Sequence, residues 1–198
     1  MTHFEIIAAP FTLWLAPVAT AFPLLSAAPG AGWTKVGTSG DRNYSDDGVT
    51  VAHSQTLETA RPAGATGAVK AWRTEEELVI SLTLWDMTLE QYAAALNGNA
   101  VATTAAGTGT IGTKTIGLSQ GREVTAYALL ARGPSAYDDG FLSQYQVPRC
   151  YQSGNPQPVF STAGPAGLEL EFTALEDLAA AVAEERFGKH VVQHQAAI

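Results

Sequence analysis

Three alternating oxygen-bearing side chains after Gly40 could form a calcium-binding loop. Asp41, Asn43 and Ser45 have the required spacing. However, Asp46 stands where such a loop needs glycine, and Ala52 stands where its closing glutamate belongs. The pattern therefore favours an ordinary polar turn over a metal site.

A glycine-rich run between residues 102 and 114 could contact phosphate groups. Gly107, Gly109 and Gly112 match the letters of a dinucleotide-binding motif, but a predicted helix precedes them and strand-like sequence follows. Thr113 separates Gly112 from Lys114, so a phosphate-binding P-loop is also excluded. We expect a flexible hairpin tip here and no nucleotide cofactor.

The histidines and the single cysteine provide little further chemistry. His190 and His194 would share one face of a helix, but no third ligand accompanies them, so a solvated C-terminal tail is favoured. Cys150 has no partner for an intramolecular disulfide and is expected to be a packed thiol. Since no nucleophile–base pair or zinc spacing is present, we do not expect an enzyme or a metal cofactor.

A run of acidic residues has two open interpretations. Glu75, Glu76 and Glu77 follow one another in a chain whose formal net charge is -8 at pH 7. Such a run is either a solvated face or a surface that has to stay negative. The charge argues against binding to a nucleic-acid backbone, although repulsion of DNA remains possible.

The stretch that follows this run changes its periodicity once. Residues 77–85 alternate as a strand does, with one strongly apolar face. Residues 89–96 have helical spacing, with a capping box formed by Thr88 and Gln91 and a left-handed stop at Asn97-Gly98. The predicted helix should dock on the sheet through Leu89, Tyr92 and Leu96.

Alternation and turn residues predict a mainly β chain. A long hairpin is expected from residues 49–59 and 68–85, joined by a connection rich in glycine and proline. A terminal helix is expected from Leu175, with Thr173 and Glu176 as its capping box and Gly188 as its stop. Further strands are predicted at residues 11–16, 33–36, 124–132, 141–151 and 168–174.

Length and composition favour one domain that assembles. The 198 residues fit a single domain 1–198, with an N-terminal arm at about 1–10 and a C-terminal tail at about 188–198. Only 15% of the residues are charged, so other copies or a partner should cover apolar surface. The apolar N-terminal run lacks a basic start and contains prolines, so neither secretion nor a membrane span is expected.

Several stretches together resemble the major tail tube protein of long, non-contractile-tailed bacteriophages. They are FEIIAAPFTLWLAPVATAFP, GWTKVGTSGDRNYSDDGVTV, TEEELVISLTLWDMTLEQYAAALNGNAV, YALLARGPSAYDDG and LELEFTALED. The resemblance spans nearly the whole chain and implies a β-sandwich or barrel-like tail tube fold with one short flanking helix and extended terminal arms. It further implies hexameric rings that stack, with inner strands closing a barrel around a DNA channel.

The resemblance implies a structural virion protein with no cofactor. Its partners would be copies of itself, other tail proteins at the tube ends and a tape-measure protein in the lumen, while DNA would only pass through. The protein would be found in the virion, and in the host cytoplasm before assembly. The candidate lumen-facing acids are Glu58, Glu75, Glu76 and Glu77. Strand alternation puts Glu75 and Glu77 on one face and Glu76 on the other, so only one of these sets faces the lumen unless a bulge intervenes.

A second class of function is a monomeric β-sandwich module that binds carbohydrate or acts in adhesion. Trp14, Trp33, Trp72 or Trp85 would then stack on sugar rings. Size in solution distinguishes the two classes, because rings or tubes favour the tail tube and a 20.7 kDa monomer favours the binding module.

Overall fold

The protein is a mainly antiparallel β structure with one α-helix in its described part. A computed structural model describes residues 5–138 and 140–194. Strands make up 43% of it and helices 7%, which confirms the expected mainly β, sandwich-like class. The strands are β1 (Thr12–Pro17), β2 (Thr34–Lys35), β3 (Tyr44–Ala60), β4 (Lys70–Leu84), β5 (Val101–Thr104), β6 (Thr113–Ile116), β7 (Ala126–Pro134), β8 (Leu142–Gln152), β9 (Leu168–Ala174) and β10 (Lys189–Val192). The helix, α1, is Leu89–Ala95.

One strand links the two halves of the main sheet. The strand order is β2-β1-β7-β8-β9-β4-β3, and β10 also pairs with β8. Residues 143–146 of β8 pair with β10, whereas residues 150–152 pair with β9. Because β8 exchanges one neighbour for another along its length, the sheet can fold over on itself around a single core.

The core follows from the alternation of apolar residues on β4 and β9. Leu168, Leu170 and Phe172 on β9 are at most 1% exposed, and their paired partners on β4 are Leu84, Leu82 and Ile80. Leu13 and Leu15 of β1 belong to the same buried cluster. Alternate positions thus supply one apolar face on each half of the sheet, and these faces pack together.

A buried tyrosine joins the two halves. The hydroxyl of Tyr44 accepts a hydrogen bond from the Leu13 amide at 3.0 Å and donates one to the Val36 carbonyl at 2.8 Å. Burial raises the pKa of Tyr44 far above its usual value, so the hydroxyl stays protonated and can donate. Its hydrogen bonds therefore hold the start of β3 against β1.

The predicted long hairpin is confirmed as β3 and β4. Its distal part is here called the hairpin arm, residues 53–77, and it extends beyond β9, which pairs only with residues 79–84 of β4. The pairing shifts where Thr56 faces Glu75 and Leu57 faces Arg73, so Thr74 is an extra residue on β4. The arm is therefore a two-stranded extension with exposed side chains on both faces.

The predicted helix is confirmed, but its capping box is wrong. Thr88 makes no side-chain cap, and the Gln91 side chain instead accepts a hydrogen bond from the Gly37 amide at 2.8 Å. In a capping box the Gln91 side chain would accept a hydrogen bond from the Thr88 amide. The Asp86 side chain accepts this hydrogen bond instead. The left-handed stop is present, with φ of 61° at Asn97 and 74° at Gly98.

The helix contacts the rest of the protein mainly through its C-terminal end. Leu96 is 6% exposed and Ala95, which the sequence did not single out, is 1% exposed and belongs to the core cluster. Tyr92 packs against that cluster, whereas Leu89 is only half-buried and lies outside it. Docking is therefore concentrated in the last turn.

Leu96→Ala is expected to lower the free energy of unfolding by about 2–5 kcal/mol, because it removes buried methyl groups and leaves a cavity. Chemical denaturation measures this change. Leu118→Ala is the matched control, since Leu118 is 72% exposed and should change stability by less than about 0.5 kcal/mol. Equal effects of both variants would contradict the docking of α1.

The predicted terminal helix after Leu175 is wrong. That region contains only a short 3-10 turn, Ala183–Glu185. Thr173 lies inside β9 and its hydroxyl donates to Ser153, so it cannot begin a helix. Leu178 and Val182 are 74% and 47% exposed, so a helix here would have had little apolar surface to stabilise it.

The expected solvated tail is also wrong for residues 189–192, which form β10. His190 stacks on Tyr145 of β8 with 4.0 Å between the ring centroids. Burial lowers the pKa of His190, which favours its neutral form. His194 lies beside Tyr137, and the two histidines are not on a helix. Residues 195–198 of the predicted tail and 1–4 of the predicted arm lie outside the described part, and residues 5–10 form no strand or helix.

Candidate functional site

Three of the four predicted acids share one face of the hairpin arm. The Thr56 hydroxyl donates to Glu75 at 3.0 Å, and the Ser54 hydroxyl donates to Glu77 at 3.4 Å. Glu58 follows Ser54 and Thr56 at alternate positions of β3, so it points to the same side. This side is opposite to the one that carries the buried leucines of β4.

Glu76 lies on the other face of the arm. It forms an ion pair with Arg73 at 2.8 Å, and the Arg73 Nε donates to Gln55 at 2.9 Å. Opposed residues of an antiparallel pair share a side, and the extra residue Thr74 brings Arg73 to the side of Glu76. Glu76 is therefore separated from Glu75 and Glu77.

Two further glutamates, which the sequence reading did not single out, continue the same surface. On β9, Glu169 is paired with Thr83 and Glu171 with Ser81, so both point away from the core on the side of Glu77. Their alternation with the buried β9 residues was visible in the sequence, but the pairing of β9 with β4 was not. The set Glu58, Glu75, Glu77, Glu169 and Glu171 is called the acidic face below.

No cation compensates this charge inside the surface. No lysine or arginine occupies an outward position in this part of the sheet, which comprises residues 50–58 of β3, 75–83 of β4 and 169–173 of β9. All five glutamates are exposed, and none forms an ion pair with another described residue. Hydroxyl groups are the side-chain donors to three of them, including Ser153, which donates to Glu171 at 3.1 Å. The acidic face therefore presents net negative charge and would repel a phosphate backbone.

The predicted turn at Asp41 is held by contacts within the protein. Asp41 accepts a hydrogen bond from the Thr12 hydroxyl at 3.1 Å, and Asn43 accepts one from the Ser39 amide at 2.5 Å. The glycine-rich run joins β5 to β6, with Gly107 bridged to Thr110. In the described ranges, no group of three or more His, Cys, Asp or Glu side chains converges as a metal site would require.

Cys150 is a packed thiol on β8. It is 1% exposed, and burial raises its pKa to about 12. Both effects suppress the thiolate that reacts with alkylating reagents.

The folded protein is therefore expected to resist maleimide at pH 7 and to be labelled at Cys150 once it is unfolded in urea. Mass spectrometry before and after denaturation measures the label. Rapid labelling of the folded protein would contradict the burial of this strand.

The tryptophans do not form one sugar-binding surface. Trp33 packs on Phe22 and donates its ring N–H to the Ala21 carbonyl, and Trp14 is half-buried on β1. Trp72 and Trp85 are exposed, but they lie near opposite ends of β4, roughly 40 Å apart along an extended strand. Their placement gives no support to a stacking platform.

In the described part of the chain, no helix has the length and apolar character that crossing a membrane requires. Comparison of the chain with protein-family models and with curated proteins finds no match.

Proposed function

We propose that this protein is a subunit of a phage tail tube, in which hexameric rings stack and the acidic face lines the DNA channel. The observation that carries the proposal is the gathering of five exposed glutamates on the outward side of β3, β4 and β9. A channel that conducts DNA without holding it needs uncompensated negative charge on its wall. The resemblance of the sequence to tail tube proteins supports the same function.

Features of the fold also support assembly. β3 ends the sheet on one side, so the outer edge of a 17-residue strand has no neighbour in the described chain. Exposed strand edges of this length tend to pair or aggregate unless they are covered. A ring of subunits would cover this edge and the apolar side chains of the hairpin arm.

Accessibility in assembled tubes tests the position of the acidic face. Glu77→Cys and Glu171→Cys should react with a small maleimide but not with a maleimide on a polymer too wide for the channel. Glu123→Cys is the matched control, because Glu123 is exposed and lies outside the acidic face, and it should react with both reagents. Cys150 adds little background because it is buried. Equal reaction of all three variants with the wide reagent would contradict a luminal position.

A further inference from the structure

The end of the hairpin arm has a charge opposite to that of the rest of the chain. Residues 59–74 contain Arg61, Lys70 and Arg73 and no acidic residue, whereas the other residues contain 8 of the 11 cations and all 19 acids. Arg73 forms an ion pair with Glu76, but Arg61 and Lys70 form no ion pair with any other described residue. The arm therefore ends in a cationic tip, defined here as residues 59–72.

The cationic tip is also apolar. Val69 is 66% exposed and Trp72 is 44% exposed, and Leu57 beside the tip is 53% exposed. Apolar side chains next to unpaired cations on a projecting segment are the composition of a surface that binds an acidic, partly apolar partner.

A groove with the complementary composition lies at the base of the same arm. It has a volume of about 510 Å³ and separates the arm from residues 183–188. Leu78 and Phe187 supply its apolar part, and both belong to the core or pack against it. Its acidic side chains are Glu76, Glu176 and Glu184, whereas the Glu77 carboxylate lies on the opposite face of the arm.

The charge of the groove is only partly compensated. Arg73 pairs with Glu76 at 2.8 Å, and Arg186 pairs with Glu176 at 2.7 Å. Glu184 has no cationic partner among the described residues. The groove can therefore accept a further cation, which the tip can supply.

We propose that the cationic tip of one subunit docks in this groove of a second copy of the chain. A tip cannot reach its own groove, because Lys70 lies eight residues from Leu78 along one strand, roughly 26 Å away. Each copy therefore keeps one free tip and one free groove, so the contact repeats from subunit to subunit and generates a ring or a filament. This contact rests on the proposed tube, for which it supplies a specific link between subunits.

Disulfide trapping between two different variants tests the contact directly. Lys70→Cys and Glu184→Cys are prepared separately, mixed, allowed to assemble and then oxidised. The expected product is a disulfide-linked dimer of the two variants, since buried Cys150 does not compete. Arg122→Cys replaces Lys70→Cys in the control mixture, because Arg122 is an exposed cation outside the arm. Tubes that give no more cross-linked dimer with Lys70→Cys than with Arg122→Cys would overturn the contact and leave the proposed tube intact.

A charge exchange provides a second readout. Lys70→Glu and Glu184→Lys should each raise the concentration needed for assembly by about tenfold or more, because each places like charges together. The double variant should recover most of this loss, and Arg122→Glu should change it little. Failure of the double variant to recover, or an equal loss in Arg122→Glu, would overturn the contact. A wild-type protein that stays monomeric would overturn both this contact and the proposed tube.

Discussion

Phe172→Ala is expected to lower the free energy of unfolding by about 3–5 kcal/mol, which is among the largest losses that a single core substitution causes. Phe172 is 1% exposed and lies on β9 opposite Ile80 of β4. Removing the ring leaves a cavity and removes packing contacts where β9 lies between β4 and β8. The surrounding core relaxes only partly into such a cavity.

Urea denaturation followed by circular dichroism measures this loss. Glu169→Ala on the same strand is the control, because the Glu169 side chain is exposed. It should change stability by no more than about 0.5 kcal/mol. If the two variants lose similar stability, the alternation that places the β9 core and the acidic face on opposite sides is wrong.

Reversing charge on the acidic face is expected to slow DNA release while the tubes remain intact. Glu75→Lys/Glu77→Lys and Glu169→Lys/Glu171→Lys each bring cations to a surface that otherwise repels phosphate. At low ionic strength, where screening is weakest, we expect release from assembled particles to slow about tenfold or more, and by less at high ionic strength.

A matched control separates position from total charge. Glu90→Lys/Glu123→Lys makes the same change in net charge on exposed residues outside the acidic face. It breaks the ion pair between Glu90 and Lys114, which is exposed and therefore contributes little to stability. Release should remain near the wild-type rate. Measurement of the release kinetics at two ionic strengths tests this prediction. Identical kinetics for all three double variants would contradict an electrostatic role of this face.

Local patterns predicted the strands well because their periodicity needs no knowledge of the partner strand. The alternation of residues 168–174 predicted β9 with its bounds as observed. The turn signal Asn97-Gly98 placed the end of α1 within one residue, since left-handed conformations are limited to few residue types.

Non-local pairing was not predictable from the same patterns. The alanine-rich stretch after Leu175 has helical propensity. However, Thr173 is part of β9, and β10 pairs with β8 in the main sheet. Propensity is a weak signal that tertiary contacts override. Likewise, Glu169 and Glu171 joined the candidate site only through the pairing of β9 with β4, which lies about ninety residues earlier in the chain.

Electron microscopy of the purified protein over rising concentration tests whether the chain assembles into tubes. We expect rings or tubes of uniform diameter with a central channel, and averaged images in which β3, β4 and β9 line that channel. The alternative is a particle of 20.7 kDa. A protein that remains such a monomer at every concentration, also in the presence of phage tail initiators, would contradict the proposed tail tube.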